Sequence, residues 1–154
     1  MTQSPMTAMG MTATGMPESR IRIPGWEHHL AEAIEAARTR PFAWGQHDCA
    51  TWAFDLRRDL TGGADVAALW RGRYRTALGA ARVMRRLGWP SFEAAGRALL
   101  GEPLASVHLA RRGDLVLAGS HPGFGVCLGA RAVGIAPEGL TFAPLAACAL
   151  AWRV

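Results

Sequence analysis

The pattern of hydrophobic and polar positions divides this chain into a helical half and a strand half. From Trp26 to Ala37, apolar residues recur at helical spacing, and the pattern ends before Pro41. Capping and stop residues predict further helices from Cys49 to Thr61, after Thr76 and after Ser91, with a short helical segment over 66–70. Beyond residue 114, short apolar runs separated by turn residues predict strands over 115–118, 124–128, 132–136, 140–143 and 149–154.

This order of elements predicts an α+β domain in which an antiparallel meander follows the helices. We place a flexible leader at 1–22 and a single domain at 23–154. The leader is small, polar and Met-rich, and it lacks the basic and apolar regions of a secretory signal. No apolar run reaches the roughly 18 residues that a membrane helix needs, so we expect no membrane span and synthesis in the cytoplasm.

Composition and charge argue against several classes of function. The net charge is +5, and all 17 basic residues are arginines spread along the chain. A nucleic-acid-binding surface would need a basic stripe with interleaved aromatics or a recognisable module, and neither is present. The three cysteines, Cys49, Cys127 and Cys148, are too widely spaced for a disulfide framework or a metal site. We expect no nucleic-acid partner, no metal and no cofactor, with Cys127 and Cys148 in the core.

Cys49 is the residue whose position could carry chemistry. It follows a turn at Gly45 and the helix-capping Asp48, so it falls in the first turn of a helix. A helix N-terminus lowers the pKa of a thiol and favours the nucleophilic thiolate, whereas the charge of Asp48 acts in the opposite direction. A cysteine on a helix face can equally be a small buried hydrophobe. From Cys49 alone both interpretations stay open.

Three segments together resemble the NlpC-type cell-wall peptidases. The nucleophile motif of that family reads aromatic, x, Trp-Gly, a short gap, then Asp-Cys at a helix start, and it is matched by Phe42, Trp44-Gly45 and Asp48-Cys49. The family's Gly-Asp-Leu-Val strand and the tail of its His-Val-Gly-Ile strand are matched by 113–116 and 125–129. The resemblance covers about residues 41–140. It is strongest to a phage and prophage branch that shares Gly-x-His-Asp-Cys, Arg-Tyr-Arg-Thr (73–76) and Ala-Trp-Arg-Val (151–154).

The chain departs from this family at the residues that perform catalysis. Alignment places Gly123 where the catalytic histidine belongs and places the third polar residue near Ala136. A tyrosine of the family is replaced by Phe42. His121, two residues before the expected position, could serve as the base after a local loop shift. His47 is better suited to shaping the turn before Cys49.

The resemblance implies a papain-like fold with the Cys49 helix packed on the C-terminal sheet, and a place in a phage tail. We expect a catalytically impaired or inactive relative with a structural role in the tail hub, in contact with tail-tip proteins and located in the virion after assembly. The alternative is an active peptidoglycan hydrolase with Cys49 as nucleophile and His121 as base. Phe42, Trp44 and Asp48 would then shape the substrate site. Exposed aromatics are expected around Trp26, Trp44, Trp70 and Trp89, and the Arg112-Gly113-Asp114 segment is expected to be a turn into a strand.

Overall fold

The computed structural model describes residues 21–154, and within them the helical half precedes the strand half as predicted. The α-helices are α1 (Trp26–Ala37), α2 (Cys49–Thr61), α3 (Ala77–Arg86) and α4 (Phe92–Leu100). The strands are β1 (Leu115–Ala118), β2 (Phe124–Cys127), β3 (Arg131–Ala136), β4 (Gly139–Pro144) and β5 (Cys148–Trp152). Short 3₁₀ helices cover Val66–Leu69, Val107–Leu109 and Leu145–Ala147. The domain is therefore α+β, and the helix predicted over 66–70 is a 3₁₀ turn.

Side-chain caps fix where three of these helices begin. Asp48, Thr76 and Ser91 each accept a hydrogen bond from a backbone N–H in the first turn of α2, α3 and α4. These bonds satisfy donors that the start of a helix would otherwise leave without a partner. At its other end α2 stops at Gly62, whose φ of 70° lies in the left-handed region that glycine adopts without strain. The starts of all three helices agree with those predicted from the sequence.

The five strands form one antiparallel sheet in the order β4-β3-β2-β1-β5. The predicted meander is correct for the first four strands. The fifth strand departs from it, because β5 crosses over and pairs with β1, with Leu115 opposite Trp152. This placement buries Trp152 completely, against α4 at Gly96, where an added Cβ would lie 2.5 Å from the indole ring. The pairing of β5 with β1 thus places Trp152 in contact with α4.

Helix α2 lies at the centre of the core, as its apolar face predicts. Ala53, Phe54, Leu56 and Leu60 are buried, and the helix contacts β2 and β3. The ring of Phe54 meets that of Phe124 edge to face, with centroids 5.2 Å apart. Such a contact adds to the burial of apolar surface. The first residue of α2 is consequently held against the start of β2.

The expectation of four exposed tryptophans is wrong for Trp70. Its side chain is 5% exposed, and its indole N–H donates to the Thr51 hydroxyl at 3.1 Å. The 3₁₀ turn directs the ring inward onto Phe54, so the polar indole N–H finds a partner inside the core. Trp26, Trp44 and Trp89 are half-buried.

The buried carboxylate of Asp114 joins the two ends of the described chain. Its Oδ1 accepts from the Arg22 guanidinium at 2.8 Å and from the Val154 N–H at 3.0 Å, and its Oδ2 accepts from the Arg111 N–H at 2.8 Å. Arg153 lies 3.3 Å from Oδ2 in an ionic contact. The predicted turn at 112–114 is present, and its aspartate is wholly buried.

Arg22 falls within the leader as its boundary was predicted, yet its guanidinium is one of the partners of Asp114. It also donates to the carbonyl oxygen of Val154 at 2.9 Å. Residues 1–20 lie outside the described residues, so the leader itself stays a prediction. Within 21–154, none of the helices combines the length and the apolar character that crossing a membrane requires.

We expect Asp114→Ala to lower the free energy of unfolding by roughly 3 kcal/mol, because it removes the carboxylate partner of Arg22 and leaves the Val154 N–H without its acceptor. Urea denaturation followed by tryptophan fluorescence measures this loss. Arg112→Ala is the matched control, since the side chain of Arg112 is exposed. Equal stability of the two variants would contradict the role assigned to Asp114.

Candidate functional site

The start of α2 is organised by the carboxylate of Asp48, which is 2% exposed. Its Oδ1 accepts from the Thr51 N–H at 2.9 Å, and its Oδ2 accepts from the Gly45 N–H at 2.8 Å and from the Tyr74 hydroxyl at 2.6 Å. A buried charge is tolerated when it is hydrogen-bonded in this way. Asp48 therefore fixes the helix start, the preceding turn and the segment that carries Tyr74 relative to one another.

The turn before Cys49 depends on glycine at position 45. Gly45 has a φ of 77°, and an added Cβ would lie 2.7 Å from the carbonyl oxygen of Tyr74. The carbonyl oxygen of Gly45 accepts from the Gly72 N–H at 3.0 Å, and His47 donates its N–H to the Ala43 carbonyl oxygen at 2.8 Å. Trp44 and Gly45 therefore lie in a tight loop that packs against residues 72–74.

The sulfur of Cys49 lies directly beside Gly123. A Cβ added to Gly123 would be 3.4 Å from this sulfur, which is ordinary contact distance. The φ of Gly123 is outside the left-handed region, so an L-residue there would not be strained by its φ angle. The position that the sequence alignment gave to the missing histidine is therefore adjacent to the thiol in space.

Burial raises the pKa of the Cys49 thiol to about 11. The backbone N–H of Phe124, directed at the sulfur, acts in the opposite direction, while the charge of Asp48 raises the pKa further. At neutral pH the thiol is protonated, and a protonated thiol is a weak nucleophile. The position at a helix start does not offset burial here.

Neither histidine considered as a substitute base is bonded to Cys49 in the described part of the chain. His121 is exposed, and its side chain makes no hydrogen bond to the sulfur. His47 is 3% exposed, and its Nε2 is buried without a hydrogen-bond partner. Burial lowers the pKa of His47, the nearby Arg40 lowers it further, and Asp48 partly opposes both. His47 contributes its backbone to the turn, as predicted.

The position that the resemblance gives to a third catalytic group, Ala136, has no polar atom in its side chain. Strands β2 and β3 pair with Val126 opposite Val133 and Cys127 opposite Ala132. The same register, if extended past the end of β2, would bring Ala136 opposite Gly123. Ala136 has no polar atom that could orient a base, and Gly123 has no side chain that could act as one. These two positions therefore supply neither a base nor a group that orients it.

Cys49 opens into a cleft of about 870 Å³ whose wall is mainly apolar. Of the residues predicted to shape a substrate site, Phe42 and Trp44 line this cleft, and their rings meet edge to face with centroids 4.8 Å apart. Asp48 lies beneath it, with its oxygens engaged by backbone and tyrosine donors. His121 is on the rim, and further lining comes from Met84, Trp89, Phe92, Glu138 and Phe142.

The sequence reasoning did not assign a role to Tyr74. Its hydroxyl donates to Asp48, and burial together with that bond raises the pKa of the phenol well above its usual range. In the sequence, Tyr74 is distinguished only by its place in the Arg-Tyr-Arg-Thr segment. Its bond to Asp48 cannot be predicted from the sequence, because the two residues are 26 positions apart along the chain. Across residues 21–154 no group of three or more His, Cys, Asp or Glu side chains is arranged to hold a metal ion.

Tyr74 is the only tyrosine of the chain, so its ionisation can be followed by ultraviolet absorbance. Because its folded-state pKa is raised, its stabilising contribution is complete below the unfolded-state value of about 10 and is lost as the pH rises above it. We expect tyrosinate absorbance to appear only together with unfolding, which tryptophan fluorescence reports. Tyrosinate at pH 10 in protein with unchanged fluorescence would refute this.

Comparison with known protein families adds one finding. Residues 21–154 match the family described as "Domain of unknown function (DUF6950)". Neither a curated protein nor a solved structure matches the chain. The matched range begins one residue before Arg22, whose ion pair with Asp114 closes the domain, and it includes every helix and strand described above. This chain belongs to the DUF6950 family.

Proposed function

We propose that this chain is an NlpC-like domain of a phage or prophage tail tip in which the Cys49 site is catalytically inactive. Its role is structural, through contacts with other proteins of the tail hub. The same resemblance implies a papain-like arrangement. Its support is that a cysteine at the start of a central helix lies against a C-terminal antiparallel sheet. The protein would be made in the cytoplasm and carried in the virion after assembly.

The observation that carries the proposal is the position of Gly123, where an added Cβ would lie 3.4 Å from the Cys49 sulfur. Thiol catalysis of amide cleavage needs a base beside the sulfur that first removes its proton and later supplies one to the leaving amine. A residue at position 123 is the right distance from the sulfur for that task, and glycine has no group to perform it. Ala136 leaves the neighbouring position on β3 without a polar group as well.

The ionisation of Cys49 supports the same conclusion. With a pKa of about 11, on the order of one thiol in ten thousand is ionised at pH 7. An ion-paired imidazolium would stabilise the thiolate, but the described residues around this sulfur offer only backbone N–H groups as favourable partners. The site therefore keeps its cysteine in the neutral form.

The cleft suits a protein segment better than a polar wall fragment. Its wall includes Trp44, Trp89 and Phe92, while the charged residues on it are few. Aromatic side chains of this kind are typical of protein interfaces, where they bury a large apolar area. The cleft is thus a candidate surface for contact with a tail protein.

The alternative function is an active peptidoglycan hydrolase with Cys49 as nucleophile and His121 as base. One observation favours it: His121 and Cys49 line the same cleft. A shift of the loop at 119–123 toward the sulfur would then complete a dyad. The two functions differ in the reactivity of Cys49 and in its dependence on His121.

The first test is the pH dependence of Cys49 alkylation by iodoacetamide, read at this residue by peptide mapping. A thiol with a pKa of about 11 should react slowly at pH 7, and its rate should rise about tenfold per pH unit up to pH 9 without a plateau. A plateau below pH 8 that disappears in His121→Ala would show a Cys49–His121 dyad, as the alternative function requires.

Gly123→His supplies the matched gain of function for this test. The new imidazole would stand beside the sulfur, and pairing with the thiolate should lower the pKa of Cys49 and bring a plateau into the measured range. Gly123→Ala adds the same Cβ without a base and should leave the profile unchanged. If Gly123→His behaves like Gly123→Ala, position 123 is not the place of the missing base.

The second test is digestion of purified peptidoglycan by the full chain, with soluble stem-peptide fragments measured by chromatography and mass spectrometry. We expect no release above that of Cys49→Ala. We also expect Cys49→Ala to assemble into tails of the encoding phage as well as the unaltered protein. Fragment release that both Cys49→Ala and His121→Ala abolish would overturn the inactive assignment.

A further inference from the structure

The two edge strands of the sheet, β5 and β4, differ in whether other parts of the fold cover their outer edges. The outer edge of β5 is covered, because the Leu104 N–H donates to the Ala151 carbonyl oxygen at 2.8 Å and the 3₁₀ helix Val107–Leu109 contacts this strand. The outer edge of β4 has no such cover within residues 21–154. An open strand edge is a template for pairing with another strand.

The backbone groups that β4 leaves open can be identified from its register. The Leu145 N–H donates to the Ala130 carbonyl oxygen at 2.8 Å, immediately after the strand. In an antiparallel ladder every second residue bonds to the same neighbour, so counting back from Leu145 leaves Leu140 and Phe142 directed away from β3. The N–H and C=O groups of these two residues are therefore available along the edge.

The side chains of this edge lack the usual protection against pairing. The sequence of β4, Gly-Leu-Thr-Phe-Ala-Pro, contains no charged residue, and its only proline is the last residue of the strand. Phe142 is 38% exposed, which is high for a phenylalanine at a strand edge. Leu140 and Phe142 lie on the same face of the sheet, two positions apart.

We propose that the outer edge of β4 binds a second copy of this chain, through antiparallel pairing of the two β4 strands about a twofold axis. In the register that sets Leu140 opposite Phe142 of the second copy, both residues exchange backbone hydrogen bonds with their counterparts. Their side chains then form apolar cross-strand pairs on one face. The interface is self-complementary, as a twofold interface must be.

The charges that flank β4 support a second copy as the partner. In this register the β3–β4 turn that carries Glu138 comes beside Pro144 of the second copy, and Pro144 is itself paired with Arg131 in β3. The Arg131 guanidinium lies over the Phe142 ring, 4.7 Å from its centroid, so it reaches across β4 toward the open edge. Glu138 of each copy thus meets Arg131 of the other, and the twofold axis repeats the pair. A second β4 strand supplies this complementarity at both ends of the pairing.

The test is sedimentation velocity of the full chain over a wide concentration range, with charge-reversal variants. The unaltered protein should form a dimer. Glu138→Arg and Arg131→Glu should each raise the dissociation constant of the dimer by about tenfold. Each variant replaces two attractive Glu138–Arg131 contacts by repulsive ones. The double variant Glu138→Arg/Arg131→Glu should restore dimerisation, and Glu27→Arg, an equal charge change on the exposed side of α1, should have no effect.

Three outcomes would overturn the proposal. A chain that stays monomeric at every concentration would leave the β4 edge to a strand from a different protein. A dimer that is insensitive to both single reversals would place its interface elsewhere. Phe142→Lys, which puts a charge into the edge, should abolish the dimer while circular dichroism shows an unchanged fold, and persistence of the dimer in this variant would also refute pairing through β4.

Discussion

The carboxylate of Asp48 is the interaction on which the arrangement around Cys49 depends. It is buried and negatively charged, and it is bonded by the Gly45 and Thr51 N–H groups and by the Tyr74 hydroxyl. Each donor belongs to a different piece of chain: the turn, the helix and the segment after the 3₁₀ helix. Loss of the carboxylate would leave these donors buried without an acceptor, which costs more than a hydrogen bond contributes when formed. The start of α2, and with it the position of the sulfur, follows from this one group.

This dependence changes the meaning of the Asp-Cys pair that the chain shares with the NlpC-type peptidases. An aspartate that caps a central helix and binds a buried tyrosine is needed for folding whether or not the neighbouring cysteine reacts. Its presence is therefore no evidence of catalysis. Under the proposed function, the positions that separate this chain from an active relative are Gly123, directly before β2, and Ala136 in β3, where no polar side chain is present. In the proposed function the scaffold of a thiol site is retained while the groups that would activate the thiol are absent.

The sequence was informative wherever structure is determined locally. Asp48, Thr76 and Ser91 marked helix starts because a cap acts within three residues of itself, and the apolar runs located all five strands to within a residue or two. It was uninformative where contacts join distant segments. The inward turn of Trp70, the bond from Tyr74 to Asp48, the crossing of β5 to β1 and the tie between Arg22 and Asp114 all link residues at least 19 positions apart. Gly123 is an intermediate case between local structure and contacts of distant segments. Its place beside the sulfur could be predicted only through alignment with a family.

The crossing of β5 to β1 has a consequence for how the nascent chain acquires its structure. Strand β1 is an inner strand, yet one of its neighbours is made more than thirty residues later, at Cys148–Trp152. Until those residues leave the ribosome, β1 has a free edge and α4 lacks the indole that covers Gly96. Helices can form during synthesis because their hydrogen bonds are local, whereas contacts between distant segments must wait for both partners. A sheet made of β1 to β4 alone would therefore be open at both β1 and β4, and either edge could pair with a strand of another chain until β5 docks.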